Sequence, residues 1–257
     1  MKSNNPIKVS VLIPVFNEEK YIIRTLQAIL AQDYPNYEVI IVNNGSTDGT
    51  AEIIREFLNN LIPVNKTVTF TFEGREGTNY ARECARKLAT GSIIAQLDAD
   101  CVPDKNWISI GVRHLKYNKI VAVTGPYYYY DGPFFMRTIA LISQSFSYPI
   151  INTIVQLTKR GGIIIGGNAF IKADILAQAG GYNTDFTFYG DDVDIAQRIS
   201  AFGWIAYSNN LVLNTSSRRY SALGFWKVNK KYQAFFWNLV FKRAIHLQET
   251  IELNHPR

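Results

Sequence analysis

Two carboxylates, Asp98 and Asp100, stand two positions apart directly after the apolar run 93–97. That run is typical of a buried strand, and Pro103 then ends the extended chain. Side chains two positions apart on an extended segment leave the same face, so both carboxylates can reach one point. Two oxygen ligands with open coordination positions suit Mg²⁺ or Mn²⁺, with a phosphate completing the shell. By itself the pattern is weak, because a polar strand end before a turn has the same residues.

A second acidic cluster, Asp191, Asp192 and Asp194, opens a segment that we predict to be a helix. Negative charges at a helix N-terminus are stabilised by the helix dipole, which is a sufficient structural explanation for them. The three carboxylates also crowd one another, and this crowding should raise the pKa of at least one of them. A carboxylate with a raised pKa suits a general base. We expect Asp194 to point away and to support the start of the helix.

Strand and helix patterns alternate through the first hundred residues, and they predict where Asp98 and Asp100 lie. The predicted strands are 8–16, 37–42, 67–72 and 93–97, and the predicted helices follow Asn17 and cover 51–58 and 77–89. Such alternation implies an α/β fold with a mostly parallel central sheet and helices on both faces. Ligands of these sheets bind beyond the carboxyl ends of the strands. Asn17, Asn43 and Asp98 should therefore meet at that edge.

Length, charge and cysteine content limit the class of protein. The chain has 257 residues, of which 47% are hydrophobic and 19% charged, so it fits one large globular domain and not a disordered protein. Its net charge of +6 favours anionic partners such as nucleotides, phosphates or a membrane surface. Two cysteines form no disulfide framework, and the N-terminus lacks the apolar core of a signal peptide. We therefore expect a cytoplasmic protein.

Three segments together resemble the nucleotide-sugar half of the family 2 glycosyltransferases, which have the GT-A fold. They are 14–18 (PVFNE), the loop 43–50 (NNGSTDGT) and the strand end 97–100 (LDAD). Further motifs follow in the same order, and the resemblance covers roughly residues 8–214. It implies an inverting transferase, a nucleotide-diphosphate sugar as donor and a divalent cation, Mn²⁺ or Mg²⁺, as cofactor.

The resemblance assigns roles to residues at the edge of the sheet. Asp192 matches the family's catalytic base, and Asp191 replaces the glutamate that usually precedes it. Asp98 and Asp100 would bind the metal ion. The donor or acceptor sugar would contact Gly166, Gly167 and Asn168, where glycines let a ligand approach the backbone. The nucleotide sugar would contact Pro14, Phe16, Asn17, Glu18, Asn43, Ser46, Arg82, Asp98 and Ala99.

The nucleotide contacts depart from the family pattern at Asn43, where an aspartate normally accepts a hydrogen bond from the base. An amide accepts from a ring N–H and also donates to a ring carbonyl, so uracil or thymine is compatible and a UDP-sugar is favoured. Asn43 and Asn44 would equally shape an Asx turn. Arg82, in the first turns of a helix, suits a phosphate. Alternatively, Arg82 and Arg86 form a solvated pair on a surface helix.

The residues expected near the diphosphate also depart from the family pattern. Many relatives have a histidine as third metal ligand after the strand that follows the acidic helix, whereas this chain has 213–220 (LNTSSRRY). Arg218 and Arg219 would neutralise the leaving diphosphate there. The segment 197–199 (QRI) lacks the tryptophan of processive polymerases, which favours a single addition of sugar.

The second half of the chain alternates less regularly. Residues 138–158 carry no charge, but their polar residues argue against a membrane span. A helix or broken helix pair over the acceptor cleft, or one in a membrane interface, is favoured. The tyrosines 127–130 suit sugar or lipid contact or, equally, core packing. Segment 225–243 is aromatic, basic and amphipathic, which suits an anionic membrane surface or packing against its own domain.

We therefore predict a GT-A domain at 1–220, with a nucleotide-sugar-binding half at 1–100 and an acceptor half at 101–220, and an amphipathic helical tail at 221–257. The expected activity is inverting transfer of one sugar to a hydroxyl of a glycan or lipid-linked acceptor, in cell-surface glycan or glycolipid synthesis. No nucleic-acid partner is expected, and the protein is peripheral on the cytoplasmic face of the membrane if the tail binds lipid. Two alternatives stay open: a polyprenyl-phosphate sugar synthase, whose acceptor needs no base, and a non-catalytic nucleotide- or glycan-binding module.

Overall fold

The computed structural model describes residues 5–60, 67–186 and 190–224, and residues 226–228, 230, 233, 237 and 241 beyond them. The strands in these ranges are β1 Val9–Val15, β2 Tyr37–Asn43, β3 Thr67–Phe72, β4 Ile93–Leu97, β5 Cys101–Pro103, β6 Ile120–Thr124, β7 Tyr127–Tyr129, β8 Asn168–Lys172, β9 Trp204–Tyr207 and β10 Leu213–Thr215. The helices are α1 Ile22–Leu30, α2 Thr50–Asn59, α3 Thr78–Leu88, α4 Trp107–Leu115, α5 Phe134–Leu157, α6 Ala173–Gln178, α7 Asp191–Ile199 and α8 Arg218–Leu223.

A seven-stranded sheet in the order β3-β2-β1-β4-β8-β6-β9 forms the centre of the fold. β1 to β4 run parallel to their neighbours in this group, and β8 runs antiparallel to both β4 and β6. The carboxyl ends of β1, β2 and β4 therefore meet at one edge, as the alternating pattern predicts. Because β8 pairs with β4 in the opposite direction, with Asn168 opposite Leu97, the residues just before β8 reach the same edge.

Helices cover both faces of this sheet because successive residues of its central strands point to opposite sides. Val11 and Ile13 of β1 pack with Leu26 of α1 on one face, and Leu12 packs with Ala81 of α3 on the other. Each fully buried aliphatic side chain contributes about 1.5–3 kcal/mol. The central strands are thus buried on both sides, which fixes the loops at their ends. The predicted α/β fold, mostly parallel with helices on both faces, is confirmed.

The helix α5 runs unbroken through Pro149, so residues 138–158 lie in one helix and not in a broken pair. Proline has no N–H, which leaves the carbonyl of Ser145 without its helical donor, and the side chain of Asn209 donates to that carbonyl at 3.0 Å instead. The hydroxyl of Thr153 donates to the carbonyl of Pro149 at 2.9 Å. Within the described ranges, no helix has both the length and the apolar character needed to cross a membrane.

The glycine-rich residues 161–167 lie before β8, which begins at Asn168. The backbone N–H of Ile163 donates to the side chain of Asn152 at 2.8 Å, and that of Ile165 to the hydroxyl of Thr124 at 3.0 Å. Because side chains satisfy these donors, the backbone needs no strand partner. Residues 161–167 therefore form an irregular segment that carries the glycine pair to the sheet edge.

In the first hundred residues, the predicted strands and the helices α2 and α3 begin and end within one residue of their predicted bounds, whereas α1 begins at Ile22 and not directly after Asn17. This agreement is expected where long apolar runs alternate with strongly periodic helices. The predicted tail at 221–257 lies mostly outside the described residues, and α8 is the helix that leads into it.

Candidate active site

Two loops at the carboxyl ends of β1 and β2 hold each other in place. Asn17 has a positive φ of 54°, which asparagine tolerates better than most residues. Its backbone N–H donates to the hydroxyl of Ser46 at 3.0 Å, and its Oδ1 accepts from the N–H of Thr47 at 2.8 Å. The N–H of Glu18 donates to the hydroxyl of Thr50 at 2.8 Å. Three of the predicted nucleotide contacts, Asn17, Glu18 and Ser46, thus lie together.

Asn43 ends β2 within this pair of loops and is buried. Its Oδ1 accepts from the N–H of Ser46, three residues further on, at 3.1 Å, whereas the bond of an Asx turn goes to the residue two positions on. The neighbouring side chain of Asn44 donates to the carbonyls of residues 73 and 75 and accepts from the N–H of Gly77 at 2.9 Å. Asn43 therefore shapes its own loop through a bond other than that of an Asx turn, and Asn44 fixes the next loop beside it.

Arg82 is almost entirely buried in α3 and joins two of the predicted site carboxylates. Its guanidinium donates to Asp98 Oδ1 at 3.0 Å and to Asp191 Oδ2 at 2.6 Å. Burial alone would lower the pKa of Arg82, but the charges of Asp98 and Asp191 outweigh burial, and the pKa is raised. A buried arginine that binds two carboxylates holds both in a fixed orientation. Arg86 pairs instead with Glu83 at 2.7 Å and takes no part in this bridge.

Asp191 and Asp192 begin α7 directly after Gly190. Asp192 Oδ2 accepts from the N–H of Gly166 at 3.1 Å. Burial raises the pKa of Asp192 well above its ordinary value, and the charge of Asp191 raises it further, while Arg82 opposes both effects. Burial also raises the pKa of Asp191, which is in direct contact with Arg82. Arg82 thus favours the charged form of Asp191 most strongly, and Asp192 is the carboxylate better suited to take up a proton.

Gly166 and Gly167 lie between the two groups of carboxylates, and neither position has room for a side chain. A Cβ atom on Gly166 would stand 2.2 Å from Asp192 Oδ1, and one on Gly167 would stand 2.4 Å from Asp98 Oδ2. These glycines are required by close approach of the backbone to the carboxylates themselves. Any larger residue would push one of the two acidic groups out of place.

Tyr127 is a residue of this site that the sequence does not single out. Its hydroxyl accepts from the N–H of Gly167 at 2.9 Å and lies 3.5 Å from Asp98 Oδ2, to which it donates. Burial and the charge of Asp98 raise the pKa of Tyr127 well above its ordinary value, so the hydroxyl keeps its proton. The run of tyrosines 127–130 is a signal for aromatic contact, but it does not indicate which ring points into the site.

Asn168, a predicted sugar contact, faces the interior of the protein. Its side chain has no exposed surface. Its Oδ1 accepts from the indole N–H of Trp107 at 2.8 Å, and its Nδ2 donates to the carbonyls of Gly125 at 3.0 Å and Leu211 at 2.7 Å. Partners within the protein therefore satisfy this amide, and Asn168 joins α4 to two loops on the acidic edge of the sheet.

Asp100 faces a second arginine. Arg218, the first residue of α8, lies 3.2 Å from Asp100 Oδ2 and also pairs with Glu18. Burial would lower the pKa of Arg218, but its carboxylate partners raise it overall. Arg219 is exposed, and its charge lowers the pKa of Asp100. Both predicted diphosphate arginines are thus close enough to the Asp-x-Asp segment to influence it.

The chemistry of Asp98 and Asp100 fits a divalent cation. Burial raises the pKa of Asp100, Arg218 opposes burial, and the repulsion from Asp98 adds to the effect of burial. A cation bound by both carboxylates would offset this repulsion. In the part of the chain that the structure describes, no set of three or more Asp, Glu, His or Cys side chains is arranged to hold a metal ion. Phosphate oxygens of the nucleotide sugar and water would therefore complete the coordination shell of the cation.

The remaining predicted residues lie within or beside secondary-structure elements. Pro14 lies within β1, and Phe16 is half-buried just after this strand. Ala99 is buried between the two aspartates of the Asp-x-Asp segment. Asp194 pairs with Arg198 at 2.6 Å, so it supports α7 and not the acidic pair.

A mostly parallel α/β sheet with carboxylates beyond its carboxyl edge is the architecture of the GT-A class of nucleotide-sugar transferases. The sequence pattern of Glycosyl transferase family 2 matches residues 10–180. The chain belongs to this family.

Relatives and solved structures agree with this assignment. Glycosyltransferase AglE of Haloferax volcanii is 30% identical over 200 residues, which are 76% of this chain and 62% of AglE. The mannosyltransferase PcManGT of Pyrobaculum calidifontis, in complex with GDP-Man and Mn²⁺, superposes with a TM-score of 0.67 at 24% identity, over 88% of this chain and 61% of that one. S. aureus TarS in complex with UDP-GlcNAc gives a TM-score of 0.62 at 18% identity, over 96% and 77%. The predicted GT-A fold is confirmed, and the chain spans about three fifths of the length of AglE.

Proposed function

We propose that this protein is an inverting glycosyltransferase that moves one sugar from a nucleotide-diphosphate donor to an acceptor hydroxyl. The observation that carries the proposal is the bridge from Asp98 through Arg82 to Asp191, with Asp192 beside it. The bridge joins a carboxylate group suited to a metal and diphosphate with a carboxylate pair suited to general base catalysis. Family membership, and neighbours that hold GDP-Man or UDP-GlcNAc, support the donor class.

The donor nucleotide would lie over the paired loops after β1 and β2. Asn17, Asn43 and Ser46 form one hydrogen-bonded unit there, which gives a base and ribose a rigid surface. An amide at Asn43 suits the alternating donor and acceptor groups of uracil, so a UDP-sugar is favoured. The diphosphate would then extend toward Asp98 and Asp100.

At the diphosphate, the chain's own residues orient the charged groups. Arg82 and Tyr127 hold the two oxygens of Asp98, and Arg218 lies beside Asp100. When bound, a Mn²⁺ or Mg²⁺ ion on Asp98 and Asp100 would offset the charge of the diphosphate. Arg218 and Arg219 would add positive charge at the same end, where negative charge develops on the leaving group.

Asp192 is the residue that we assign as base. It would take the proton of the acceptor hydroxyl, while the hydroxyl oxygen forms a bond to the anomeric carbon. The bond from that carbon to the diphosphate oxygen breaks on the opposite face, and its electron pair leaves with the nucleoside diphosphate. Asp191, held by Arg82, keeps a negative charge beside Asp192 and so favours the protonated product of this step.

A panel of UDP-, dTDP- and GDP-sugars tests the proposal, with Mn²⁺ present and both melting temperature and nucleoside diphosphate release as readouts. We expect one donor class to stabilise the protein and to be turned over with an acceptor. Asp192→Asn should keep donor affinity while transfer falls roughly 10²- to 10⁴-fold, the usual effect of losing a general base. Asp194→Asn is the matched control, because Asp194 lies on the same helix and bonds to Arg198.

Each other outcome identifies a specific error. If Asp191→Asn is inactive and Asp192→Asn is not, the base is Asp191. If both variants transfer at the wild-type rate, the acceptor is already ionised, as in a polyprenyl-phosphate sugar synthase. Donor binding without turnover for any acceptor class, glycan or lipid-linked, would leave a nucleotide-sugar-binding module.

A further inference from the structure

The helix α5 turns polar side chains toward the domain and apolar side chains toward solvent. Gln144, Asn152 and Gln156 are buried, and they bond to the backbone of Tyr127 at 2.8 Å and of Ile205 at 2.9 Å. A surface helix of a water-soluble protein normally has the reverse arrangement. These buried bonds fix the rotation of α5 about its axis, and this rotation determines which residues form its outer face.

The outer face is a continuous apolar stripe. Its residues are spaced three or four positions apart and so share one side of the helix. At 1.5 Å per residue, the stripe is about 33 Å long. Phe146 is 69% exposed, Ile150 62% and Leu157 70%, and an apolar face of this extent marks an interaction surface. We define the α5 stripe as Phe135, Ile139, Ile142, Phe146, Ile150, Ile154 and Leu157.

The exposed charges next to the α5 stripe are Lys159 and Arg160, which follow the C-terminal end of α5 and are both positive. Arg137 is the one charged residue of α5, but it lies on the side of the helix away from the stripe, where its guanidinium donates to the carbonyl of Tyr130 at 3.3 Å. Asp131 precedes the helix, but its carboxylate is bonded within the domain. The ring of Phe241, from the basic and aromatic segment 225–243, lies 4.8 Å from the guanidinium carbon of Arg160. Phe241 therefore adds one exposed aromatic ring beside the cations at this end of α5.

We propose that the α5 stripe docks on a lipid bilayer with anionic headgroups. Phe146, Ile150 and their neighbours would enter the boundary between headgroups and acyl chains, with the helix parallel to the membrane plane. Lys159 and Arg160 would meet the headgroup phosphates. The bilayer supplies both an apolar phase for the stripe and the negative charge that α5 lacks.

A second copy of the chain fits the stripe less well. If two α5 helices packed parallel through their stripes, Lys159 and Arg160 of one copy would face the same two cations of the other. If they packed antiparallel, these cations would face the start of the other helix, which offers them no carboxylate of α5. Since α5 contains no Asp or Glu, neither arrangement compensates the positive charge.

The α5 stripe lies close to the candidate site, so docking on a membrane would have a consequence for the reaction. Gln144 of α5 accepts from the backbone N–H of Tyr127, whose hydroxyl reaches Asp98. One helix and one short strand thus separate the membrane-facing side from the carboxylates. If the proposed function is correct, docking would bring a lipid-linked acceptor to the site, but the docking itself does not depend on that activity.

Vesicle flotation of the full chain tests the proposal, with phosphatidylcholine alone and with phosphatidylcholine plus phosphatidylglycerol. We expect binding to the anionic vesicles that weakens as salt rises, and little binding to the neutral ones. The double variant F146S/I150S should lower the partition coefficient at least about tenfold, because two apolar side chains no longer enter the bilayer. Tyr117→Ser, at another exposed aromatic residue, is the matched control and should bind like wild type.

Three results would overturn the proposal. They are a wild-type chain that does not float with anionic vesicles, a folded F146S/I150S variant that floats like wild type, and a dimer in sedimentation that F146S/I150S abolishes without any vesicle binding. The last result would make the stripe an interface between copies. Donor turnover with a soluble acceptor, measured in parallel, should be unchanged in F146S/I150S, so failure of docking is distinguished from failure of the proposed activity.

Discussion

The two sides of the candidate site are built in different ways. On the proposed donor side, within residues 1–100, the predicted ligand contacts follow adjacent parallel strands, so the sheet itself brings Asn17, Asn43 and Asp98 to one edge. On the proposed acceptor side, within residues 101–220, the corresponding groups come from an irregular glycine segment, a three-residue strand and the start of α7. The donor side is thus positioned by one regular element, and the acceptor side by contacts between segments far apart in the chain.

This difference gives particular importance to the residues that connect the two sides. Arg82 on the donor side binds Asp191 on the acceptor side, and Tyr127 on the acceptor side reaches Asp98 on the donor side. A substitution at such a connection should affect both sides together. A substitution that supports only one side should leave the other intact.

The largest effect is expected from Arg82→Met. It leaves Asp98 and Asp191 without their shared partner, and breaking a buried ion pair costs about 3–5 kcal/mol in the free energy of unfolding. We also expect transfer to be lost, because both carboxylate groups shift. Urea denaturation and nucleoside diphosphate release measure the two effects.

The matched control for this prediction is Arg86→Met. Arg86 lies on the same helix and pairs with Glu83, so its loss should cost clearly less stability and leave transfer intact. Arg82→Lys should not restore activity, because an ammonium group lacks the planar fork that binds two carboxylates. An Arg82→Met protein with wild-type stability would show that the two sides are positioned independently.

A smaller effect is expected from Asn168→Ala, which tests the acceptor side alone. It leaves the indole N–H of Trp107 and the carbonyls of Gly125 and Leu211 buried without their partner. Each such group costs about 1–3 kcal/mol, so thermal unfolding should occur at a lower temperature while donor affinity of the folded protein is kept. Asn209→Ala, which removes one exposed bond to α5, is the control. Loss of donor affinity without loss of stability would instead return Asn168 to the ligand contacts.

Tyr127→Phe should have a modest effect on both sides. The change removes one hydroxyl that joins the N–H of Gly167 to Asp98, and such a bond contributes about 0.5–1.5 kcal/mol. We expect a donor affinity or turnover lower by up to about tenfold, measured by calorimetric titration and steady-state kinetics. Tyr129→Phe, which removes a hydroxyl that bonds to Tyr220, should leave both parameters unchanged. If the two variants have the same donor affinity and turnover, the hydroxyl of Tyr127 has no role in the site.

The smallest effect on stability at any one pH is expected from Asp192→Asn. Burial and Asp191 raise the pKa of Asp192 in the folded protein, so its stabilising contribution is fully present below the unfolded pKa and is lost as the pH rises through the folded pKa. Asparagine does not titrate. The melting temperature of Asp192→Asn relative to wild type should therefore increase between about pH 4 and pH 8.

Over the same pH range, wild-type transfer should increase as the base loses its proton, with an apparent pKa that belongs to the Asp191 and Asp192 pair. Asp194→Asn removes a carboxylate that bonds to Arg198 and should lower the melting temperature at neutral pH. A difference between Asp192→Asn and wild type that does not change with pH would mean that Asp192 stays charged throughout.

The sequence by itself determined the α/β fold, the family and the sheet edge that holds the carboxylates. Strand and helix periods are local properties, and parallel strands necessarily bring their carboxyl ends together, so Asn17, Asn43 and Asp98 could be placed without coordinates. Only the tertiary structure decided that Arg82 bridges Asp98 and Asp191, that Tyr127 points into the site, that Asn168 is buried and that α5 exposes its apolar side. In each of these cases the deciding contact is with a residue distant in the chain, and which face of an element turns inward depends on the neighbours that pack against it.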